Sequence, residues 1–356
     1  MNDLTQILKD ELLGKDNKKI ESLSLEKFLT SHKTKNLVKM CLTSLIVNYE
    51  TDELEKINTY FNKPKKEIIN YINNNIEDIL YGYLLMFDDT ELEQLKLVIN
   101  KNQKKLYFSK EKITIGFLNF IKEKALGNVE YNKDEDYVKV FMPKEYIKVF
   151  KNGLNDEYLL EKNRHIQQIS RFINLMINAY GVITARKLHE LFEKIMYEID
   201  FEELMEIVII NLAHTENCFY CNYKNDELIY GIDFDTAEDA IEFYKKQEGE
   251  YKIFSLDDYE ALFDVSYMYT LKSYDKLIDY LTEKYELSDD DIDYINDFFI
   301  ADYITCSQTK PSLAIENFKF KFKEQFDSDY KTINELLILL KNLYNEYPKW
   351  SKKGNI

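Results

Sequence analysis

Apolar residues along most of the chain recur at intervals of three and four, the spacing with which a helix buries one of its faces. Two stretches of the second half show it clearly: Leu277, Ile278, Leu281 and Tyr285, and Ile333, Leu336, Leu337 and Leu340. Helix breakers are rare, because only 9 Gly and 4 Pro occur in 356 residues. The sequence therefore predicts a mainly α-helical protein.

Two stretches alternate apolar and polar residues instead, which is the pattern of strands with one buried face. They are residues 128–142 (NVEYNKDEDYVKVFM) and 218–232 (CFYCNYKNDELIYGI). Each has a polar segment near its centre, at 132–136 and 224–227, where the chain can reverse. We predict two small β-hairpins.

Each hairpin follows helices in a similar order. The elements predicted before the second hairpin are a helix over 166–179, a turn over 181–184 with Thr184 as N-cap, and helices over 185–197 and 201–213. The first hairpin follows helices over 90–100 and 110–126, and Pro143 and a short helix come after it. Helix, turn, helix, helix and wing is the order of a winged-helix module. We therefore predict tandem winged-helix-like modules flanked by helical domains.

Charge divides the chain near residue 155. Residues 1–154 contain 25 Lys+Arg and 24 Asp+Glu, whereas residues 155–356 contain 22 and 40, a net charge of −18. A second boundary is expected near 249, where a short extended stretch separates helical blocks. The predicted domains are a helical domain over 1–88, winged-helix-like modules over 89–154 and 155–248, and an acidic helical domain over 249–356.

The acidic half favours a basic protein as partner. Residues 200–302 contain 28 acids and 7 lysines, a density that can attract a basic surface and speed its encounter. The helix expected to read DNA begins at Asp200 and is acidic, so Coulomb repulsion opposes its docking on phosphates. The predicted partner-binding acids are Glu202, Glu203, Glu206, Asp289, Asp290 and Asp291.

A nucleic-acid-binding regulator is the alternative, because residues 25–124 contain lysine clusters beside aromatic residues. Lysine outnumbers arginine 44 to 3, however, and arginine is the better residue for bidentate contacts to guanine and phosphate. A solvated lysine face in a lysine-rich chain explains the same pattern. The candidate contact residues are Lys65, Lys66, Lys104, Lys105, Lys110 and Lys112.

The first part of the chain also carries a family resemblance. Two short helices are predicted there, Thr34-Lys-Asn-Leu-Val-Lys-Met and Lys65-Lys-Glu-Ile-Ile-Asn-Tyr-Ile. Their spacing over 25–75 resembles the small helical domain at the N-terminus of transcription terminator Rho and the related SAP-type fold. The module order and the closing stretch 339–354 resemble uncharacterised bacterial proteins with a SEC-C zinc tail. That tail's cysteine cluster is missing here, so no zinc function is carried over from these proteins. The resemblance implies a bacterial or prophage protein whose modules descend from nucleic-acid binders.

Cysteines offer one metal-like pattern, His214-x3-Cys218-x2-Cys221. Residues three apart on a strand point to opposite faces, and no second cysteine pair exists to complete a tetrahedral zinc site. Packed cysteines in a strand are therefore the preferred interpretation, and we expect no bound metal. The four cysteines, which also include Cys41 and Cys306, are too scattered for a disulfide framework and indicate a reducing compartment.

Acidic residues give two further patterns. Asp235, Glu250 and Lys252 match the D-x14-E-x-K spacing of one nuclease superfamily, but 236–247 between them is predicted as one amphipathic helix instead of paired strands. Ser288 followed by three aspartates is typical of a capped helix N-terminus and lacks the glycine of a calcium loop.

The sequence contains no Walker A, G-x-S-x-G, H-E-x-x-H or Gly-rich dinucleotide motif. We therefore expect no catalytic residues and no cofactor. The first residues lack the apolar core of a signal peptide, and no apolar run approaches the roughly 18 residues of a membrane helix. The predicted protein is a cytoplasmic, non-enzymatic adaptor, regulator or inhibitor that binds a basic protein, with nucleic-acid mimicry as its sharper form.

Overall fold

Helices dominate the computed structural model, which describes residues 24–47, 63–108, 110–215, 218–326 and 328–356. The α-helices are α1 Leu25–Ser31, α2 Thr34–Val47, α3 Lys65–Asn74, α4 Ile76–Met86, α5 Asp89–Asn100, α6 Ile115–Glu123, α7 Lys144–Gly153, α8 Glu157–Tyr180, α9 Ala185–Ile195, α10 Phe201–Thr215, α11 Ala237–Lys246, α12 Leu256–Phe263, α13 Lys272–Tyr285, α14 Asp289–Ile295, α15 Ala301–Thr309, α16 Pro311–Phe326 and α17 Tyr330–Glu346. A π-helical segment, Asn296–Ile300, joins α14 to α15, and 3-10 turns span Ser266–Thr270 and Trp350–Lys352.

The strands form two three-stranded antiparallel sheets. They are β1 Leu106–Tyr107, β2 Asn128–Asn132, β3 Tyr137–Phe141, β4 Val182–Thr184, β5 Cys218–Tyr223 and β6 Asp226–Gly231. Their orders are β1-β3-β2 and β4-β6-β5. The predicted mainly α fold and both predicted hairpins are confirmed.

The chain divides into two compact units, Met1–Ile169 and Ser170–Ile356, and the boundary falls inside α8. The predicted winged-helix modules and the predicted division into four domains go beyond the mainly α fold and the two compact units, and they stay predictions. In the Rho-like stretch, α1, α2 and α3 are described, whereas the gap between α2 and α3 lies outside the described residues.

The core of Met1–Ile169 is aromatic, and one buried amide ends its central helix. Tyr83, Phe87 and Phe120 pack with ring centroids 5.6–6.2 Å apart. Helix α4 ends where the buried side chain of Asn163 donates to the backbone oxygens of Leu84 and Phe87, both at 2.8 Å. These bonds satisfy carbonyls that a helix end leaves without an intrahelical partner.

The first sheet contains a strand that the sequence pattern does not reveal. β1 has two residues, too few to show a period of two, and pairs with β3 through Leu106 opposite Val138. β2 and β3 form the predicted hairpin, with Val129 opposite Val140. α6 packs against β2 and covers one face of this sheet.

The predicted turn over 181–184 is wrong, because Val182–Thr184 is strand β4 and pairs with β6. Three residues give no periodic signal, and the partner strand lies more than forty residues further along the chain. Thr184 nevertheless caps α9 as predicted, since its hydroxyl accepts the backbone N–H of Lys187 at 3.2 Å. The reversal in the second hairpin is shorter than predicted, because Asp226 and Glu227 belong to β6 and only 224 and 225 lie between the strands.

Trp350 is buried in an apolar cluster on one face of the second sheet, together with Val182, Leu228 and Tyr230. Its indole N–H donates to the backbone oxygen of Asn178 at 2.6 Å, and its ring stacks on Phe234. A Cβ atom added to Gly181 would lie 2.4 Å from the Trp350 ring, and Gly181 has a φ of +72°. Gly181 therefore meets two demands, a left-handed backbone and close approach of an indole.

We predict that Trp350→Ala lowers the free energy of unfolding of Ser170–Ile356 by about 3–5 kcal/mol, because it leaves a cavity and removes the partly buried hydrogen bond of the indole N–H. Hydrogen exchange of Ser170–Ile356 in increasing urea measures this change. Ile338→Ala is the control, since Ile338 is exposed. Equal exchange in both variants would contradict the assigned role of Trp350.

Acid is predicted to weaken Met1–Ile169 through His32. Burial, followed by the positive charge of Lys65, lowers the pKa of His32 to about 4, and its Nε2 atom has no hydrogen-bond partner among the described residues. The unfolded chain, with a histidine pKa of about 6.5, therefore takes up this proton first as the pH falls. The contribution of neutral His32 to the free energy of unfolding is therefore complete above pH 6.5. As the pH falls from 6.5 to 4, the free energy of unfolding decreases by up to about 3 kcal/mol.

Urea unfolding at pH 7 and pH 5 measures this loss, and His32→Phe should reduce the difference between the two pH values. His165→Gln, in the same unit, should leave the difference as it is in the wild type. A wild-type pH dependence in His32→Phe would show that other groups cause it.

Candidate functional site

The predicted partner-binding acids on α10 lie at the start of a firmly held helix. His189 of α9 contacts the backbone oxygen of Ile199 through Nε2 at 2.7 Å, and its ring packs edge-on against Phe201 at 5.6 Å. These contacts fix the first turn of α10. Glu202 and Glu203 on that turn are exposed. Their charges also favour the helix, because a helix N-terminus carries partial positive charge.

Glu206 lies one turn further along α10 and is half-buried, so it presents less of its carboxylate to solvent than Glu202 does. Glu203 lies near Tyr197, whose pKa is raised first by burial and then by this negative charge. The ring of Tyr197 packs on Phe192 at 5.1 Å. The acids of α10 therefore border an aromatic patch between α9 and α10.

The second predicted acidic group, Asp289 to Asp291, begins α14. Ser288 caps this helix as predicted, and its hydroxyl and backbone N–H both donate to the Asp291 carboxylate, at 2.6 and 3.0 Å. These hydrogen bonds lower the pKa of Asp291. All three aspartates are exposed, but only Asp291 is engaged in capping its own helix.

The structure does not join these two acidic groups through a packed pair of helices. α10 packs on α9 and β5, whereas α14 continues through the π-helical segment towards α15 and α16. They are two parts of the acidic surface of Ser170–Ile356, each positioned by its own helix N-terminus.

The lysines of the alternative interpretation are partly used within Met1–Ile169. Lys65 donates through Nζ to the backbone oxygens of Thr30 and His32, both at 2.6 Å, at the end of α1. Lys105 forms an ion pair with Glu135 and lies 4.3 Å from the centroid of the Tyr137 ring. Such contacts compete with binding to phosphate.

The remaining candidate lysines face solvent. Lys66, Lys104, Lys110 and Lys112 are exposed, and the Nζ atom of Lys110 lies 5.1 Å from the centroid of the Tyr107 ring. Tyr137 is buried, so its face is not open to a nucleic-acid base. Tyr107 and Phe108 are half-buried, so they offer a base only part of the stacking surface that a fully exposed ring would give.

The two cysteines of the metal-like pattern lie on opposite faces of β5. Cys218 pairs with Gly231 and is buried, and burial raises its pKa to about 12. Its Sγ atom lies 3.7 Å from the side-chain nitrogen of Asn211. Cys221 is half-buried, and its pKa is raised by burial and by Glu238. Both thiols are therefore held in the uncharged form, which is a poor metal ligand.

The nuclease-like spacing is interrupted by α11, the helix that the sequence predicts. Asp235 forms an ion pair of 2.8 Å with Lys310, and Thr236 caps α11. Among the described residues, no group of three or more His, Cys, Asp or Glu side chains is arranged to hold a metal ion.

One feature of Ser170–Ile356 is not evident from the sequence pattern. A groove of about 230 Å³ is lined by residues from the segment after β6, from α11 and from the end of α15 and the residue after it. Phe234 and Phe243 are among the lining residues, with ring centroids 5.2 Å apart, and burial raises the pKa of Asp233. Local periodicity does not detect it, since two of its lining residues, Thr309 and Lys310, lie far along the chain from the others. The lining carboxylates are Asp233, Asp235, Asp239 and Glu242.

Comparison with models of protein families, with curated proteins and with solved structures gave no match in any of the three. The resemblance to Rho-like and SEC-C-associated proteins therefore stays a prediction. Within the described ranges, no helix combines the length and apolar content needed to cross a bilayer.

Two neighbouring lysines allow the structural use of lysine to be separated from a binding role. We predict that Lys65→Met lowers the free energy of unfolding of Met1–Ile169 by about 1–3 kcal/mol, because two carbonyls at the end of α1 lose their donor. Lys66→Met is the matched control, and its effect should stay below about 0.5 kcal/mol, since Lys66 is exposed. Urea unfolding measures both; equal effects would refute the structural role of Lys65.

Proposed function

We propose that this protein is a non-enzymatic adaptor, regulator or inhibitor that binds a basic protein through Ser170–Ile356. The distribution of charge carries the proposal. Met1–Ile169 contains 27 Lys+Arg and 27 Asp+Glu, whereas Ser170–Ile356 contains 20 and 37. The whole net charge of −17 therefore belongs to the second unit. Such a field raises the encounter rate with a basic surface and repels nucleic acid.

Topology supports the idea that Ser170–Ile356 begins with a winged-helix-like module. Helix α8, strand β4, helices α9 and α10 and the hairpin β5–β6 follow in that order, with β4 beside β6 in the sheet. In this arrangement α10 takes the place of the helix that reads DNA. Its first turn presents Glu202 and Glu203, which would face phosphate oxygens. We infer a winged-helix-like module adapted to bind protein.

Mimicry of nucleic acid is the form of inhibition that this surface fits. A protein that binds nucleic acid offers lysine and arginine side chains spaced for phosphates. Exposed carboxylates at the starts of α10 and α14, and those around the groove of α11, supply negative charges on a folded scaffold. The basic partner we propose is a nucleic-acid-binding protein, in a prophage setting that of the host.

A nucleic-acid-binding role for Met1–Ile169 is the competing proposal. It has support in four exposed lysines, Lys66, Lys104, Lys110 and Lys112. That unit is electrically balanced, however, so its long-range attraction for a polyanion is weak. The protein-binding role therefore has more support.

Affinity capture on the immobilised full-length chain tests the proposal. Bacterial extract is applied at low salt, and retained proteins and nucleic acids are measured in each salt fraction. We expect a basic protein that elutes as salt rises. The triple variant Glu202→Lys, Glu203→Lys and Glu206→Lys should weaken purified partner binding by about tenfold or more.

A control variant with the same change of net charge carries Glu67→Lys, Asp78→Lys and Glu123→Lys, three exposed acids of Met1–Ile169. It should retain the partner. If both triple variants bind alike, α10 has no part in the interface. Retention of nucleic acid alone, abolished by replacing Lys66, Lys104, Lys110 and Lys112 with Glu, would establish the competing role.

A further inference from the structure

The second sheet has one open edge. β6 is the central strand, β4 is a three-residue edge, and β5 is a six-residue edge on the other side. Three residues of β5, Phe219, Tyr220 and Asn222, are exposed. An edge strand directs half of its backbone N–H and C=O groups away from its neighbour, where another strand can pair with them.

Other elements pack on parts of both faces of this sheet, and they leave Phe219 and Tyr220 of the edge strand exposed. On one face, Tyr223 of β5 and Tyr230 of β6 belong to an apolar cluster with α11 and Trp350. On the other, Cys218 contacts Asn211 of α10, and a Cβ on Gly231 would lie 3.1 Å from Ile177 of α8. Among the described backbone hydrogen bonds outside the regular ladders, none involves Cys218–Tyr223.

β5 also lacks the features that protect edge strands from pairing. Natural edges carry charged residues, proline or bulges that block an incoming strand. The sequence of β5, CFYCNY, contains no charged residue, glycine or proline, although 31% of the chain is charged. β2, an edge of the first sheet, has Glu130 at its centre and no residue as exposed as Tyr220. The open edge of β5 is therefore a specific feature of the second sheet.

We propose that the outer edge of β5 accepts an extended, basic segment of the partner protein as an added antiparallel strand. This proposal rests on the proposed function, since the acidic charge of Ser170–Ile356 selects the basic segment. Backbone hydrogen bonds supply affinity, and Phe219 and Tyr220, one on each face of the strand, supply apolar contacts to alternate side chains.

Charge near β5 sets the expected character and placement of that segment. The exposed Glu238 of α11 lies close enough to Cys221 and Tyr230 to influence their titration. Lys224 and Lys245 lie over the ring of Tyr223 at the hairpin end, within 6 Å of its centroid. Positive side chains of the segment are therefore expected towards Cys218. A second copy of this chain is a poor occupant, because it would bring together two units that each carry a net −17.

Three synthetic peptides of eight residues test the proposal by fluorescence anisotropy with the full chain. The first alternates Lys and Val, the second is the same peptide N-methylated at every valine, and the third alternates Thr and Val. We expect the Lys-Val peptide to bind at least about tenfold more tightly than either of the others. Alternate N-methylation removes the donors on one edge of a strand, and the Thr-Val peptide lacks positive charge.

Hydrogen exchange then locates the bound peptide. Amides of Cys218–Tyr223 should exchange more slowly with the Lys-Val peptide, whereas amides of Asn128–Asn132 should not change. Tyr220→Lys places a positive charge on the edge and should weaken the peptide about tenfold. Tyr330→Lys makes the same change at a residue 72% exposed in the same unit and should leave affinity unchanged. Far-ultraviolet circular dichroism checks that both variants fold.

The remaining outcomes separate this proposal from the proposed function. One outcome is that the Tyr220→Lys variant binds the peptide normally, whereas the triple variant of Glu202, Glu203 and Glu206 does not. The proposal of an added strand then fails, and the proposed binding through the acidic surface stands. If the Thr-Val peptide binds as tightly as the Lys-Val peptide, the requirement for a basic segment is overturned. Dimerisation of the free chain in sedimentation, abolished by Tyr220→Lys, would show that a second copy occupies the edge.

Discussion

The close contact between Trp350 and Gly181 is the constraint on which the second sheet depends. Gly181 begins the approach to β4, and its missing side chain leaves room for the indole. The main chain at Trp350 is also tied to neighbouring elements, because its N–H donates to Gln308 at 3.0 Å and its oxygen accepts from Gln247 at 2.9 Å. Trp350 is thereby held against one face of the second sheet. Covering that face leaves the edge of β5 as the place where the sheet can still pair.

Helix capping explains part of the acidity of Ser170–Ile356 but not its surplus. Asp291 closes a capping box with Ser288, and Asp329 accepts the backbone N–H of Thr332 at 2.7 Å. Hydrogen bonds lower the pKa of both carboxyls, as expected for acids at a helix N-terminus. A cap, however, uses one or two carboxylates. Asp289 and Asp290 beside Asp291, and Glu202 on α10, remain exposed without such a role in the described contacts.

The sequence predicts the fold well where its signal is local. Periodicity identifies most helices, although the helix predicted over 110–126 is only Ile115–Glu123. The hairpins appear as alternating runs, and Thr184 and Ser288 are recognisable as caps. The sequence does not predict β1 and β4, because strands of two and three residues have no measurable period and pair with strands far along the chain. The same limit applies to the site. Charge along the chain predicts an acidic surface, whereas the groove near Lys310 and the open edge of β5 need tertiary structure.

The two units use their charged residues in different ways, and this difference favours a protein partner. In Met1–Ile169, Lys65 caps α1, Lys105 pairs with Glu135, and Lys101 pairs with Glu111, so several basic residues serve the fold. In Ser170–Ile356, acids outnumber bases by 17, so pairing within that unit cannot neutralise them. An excess that the fold cannot neutralise costs stability through self-repulsion unless a partner compensates it. In the proposed complex, a basic segment paired along β5 would supply both positive charge and an additional strand.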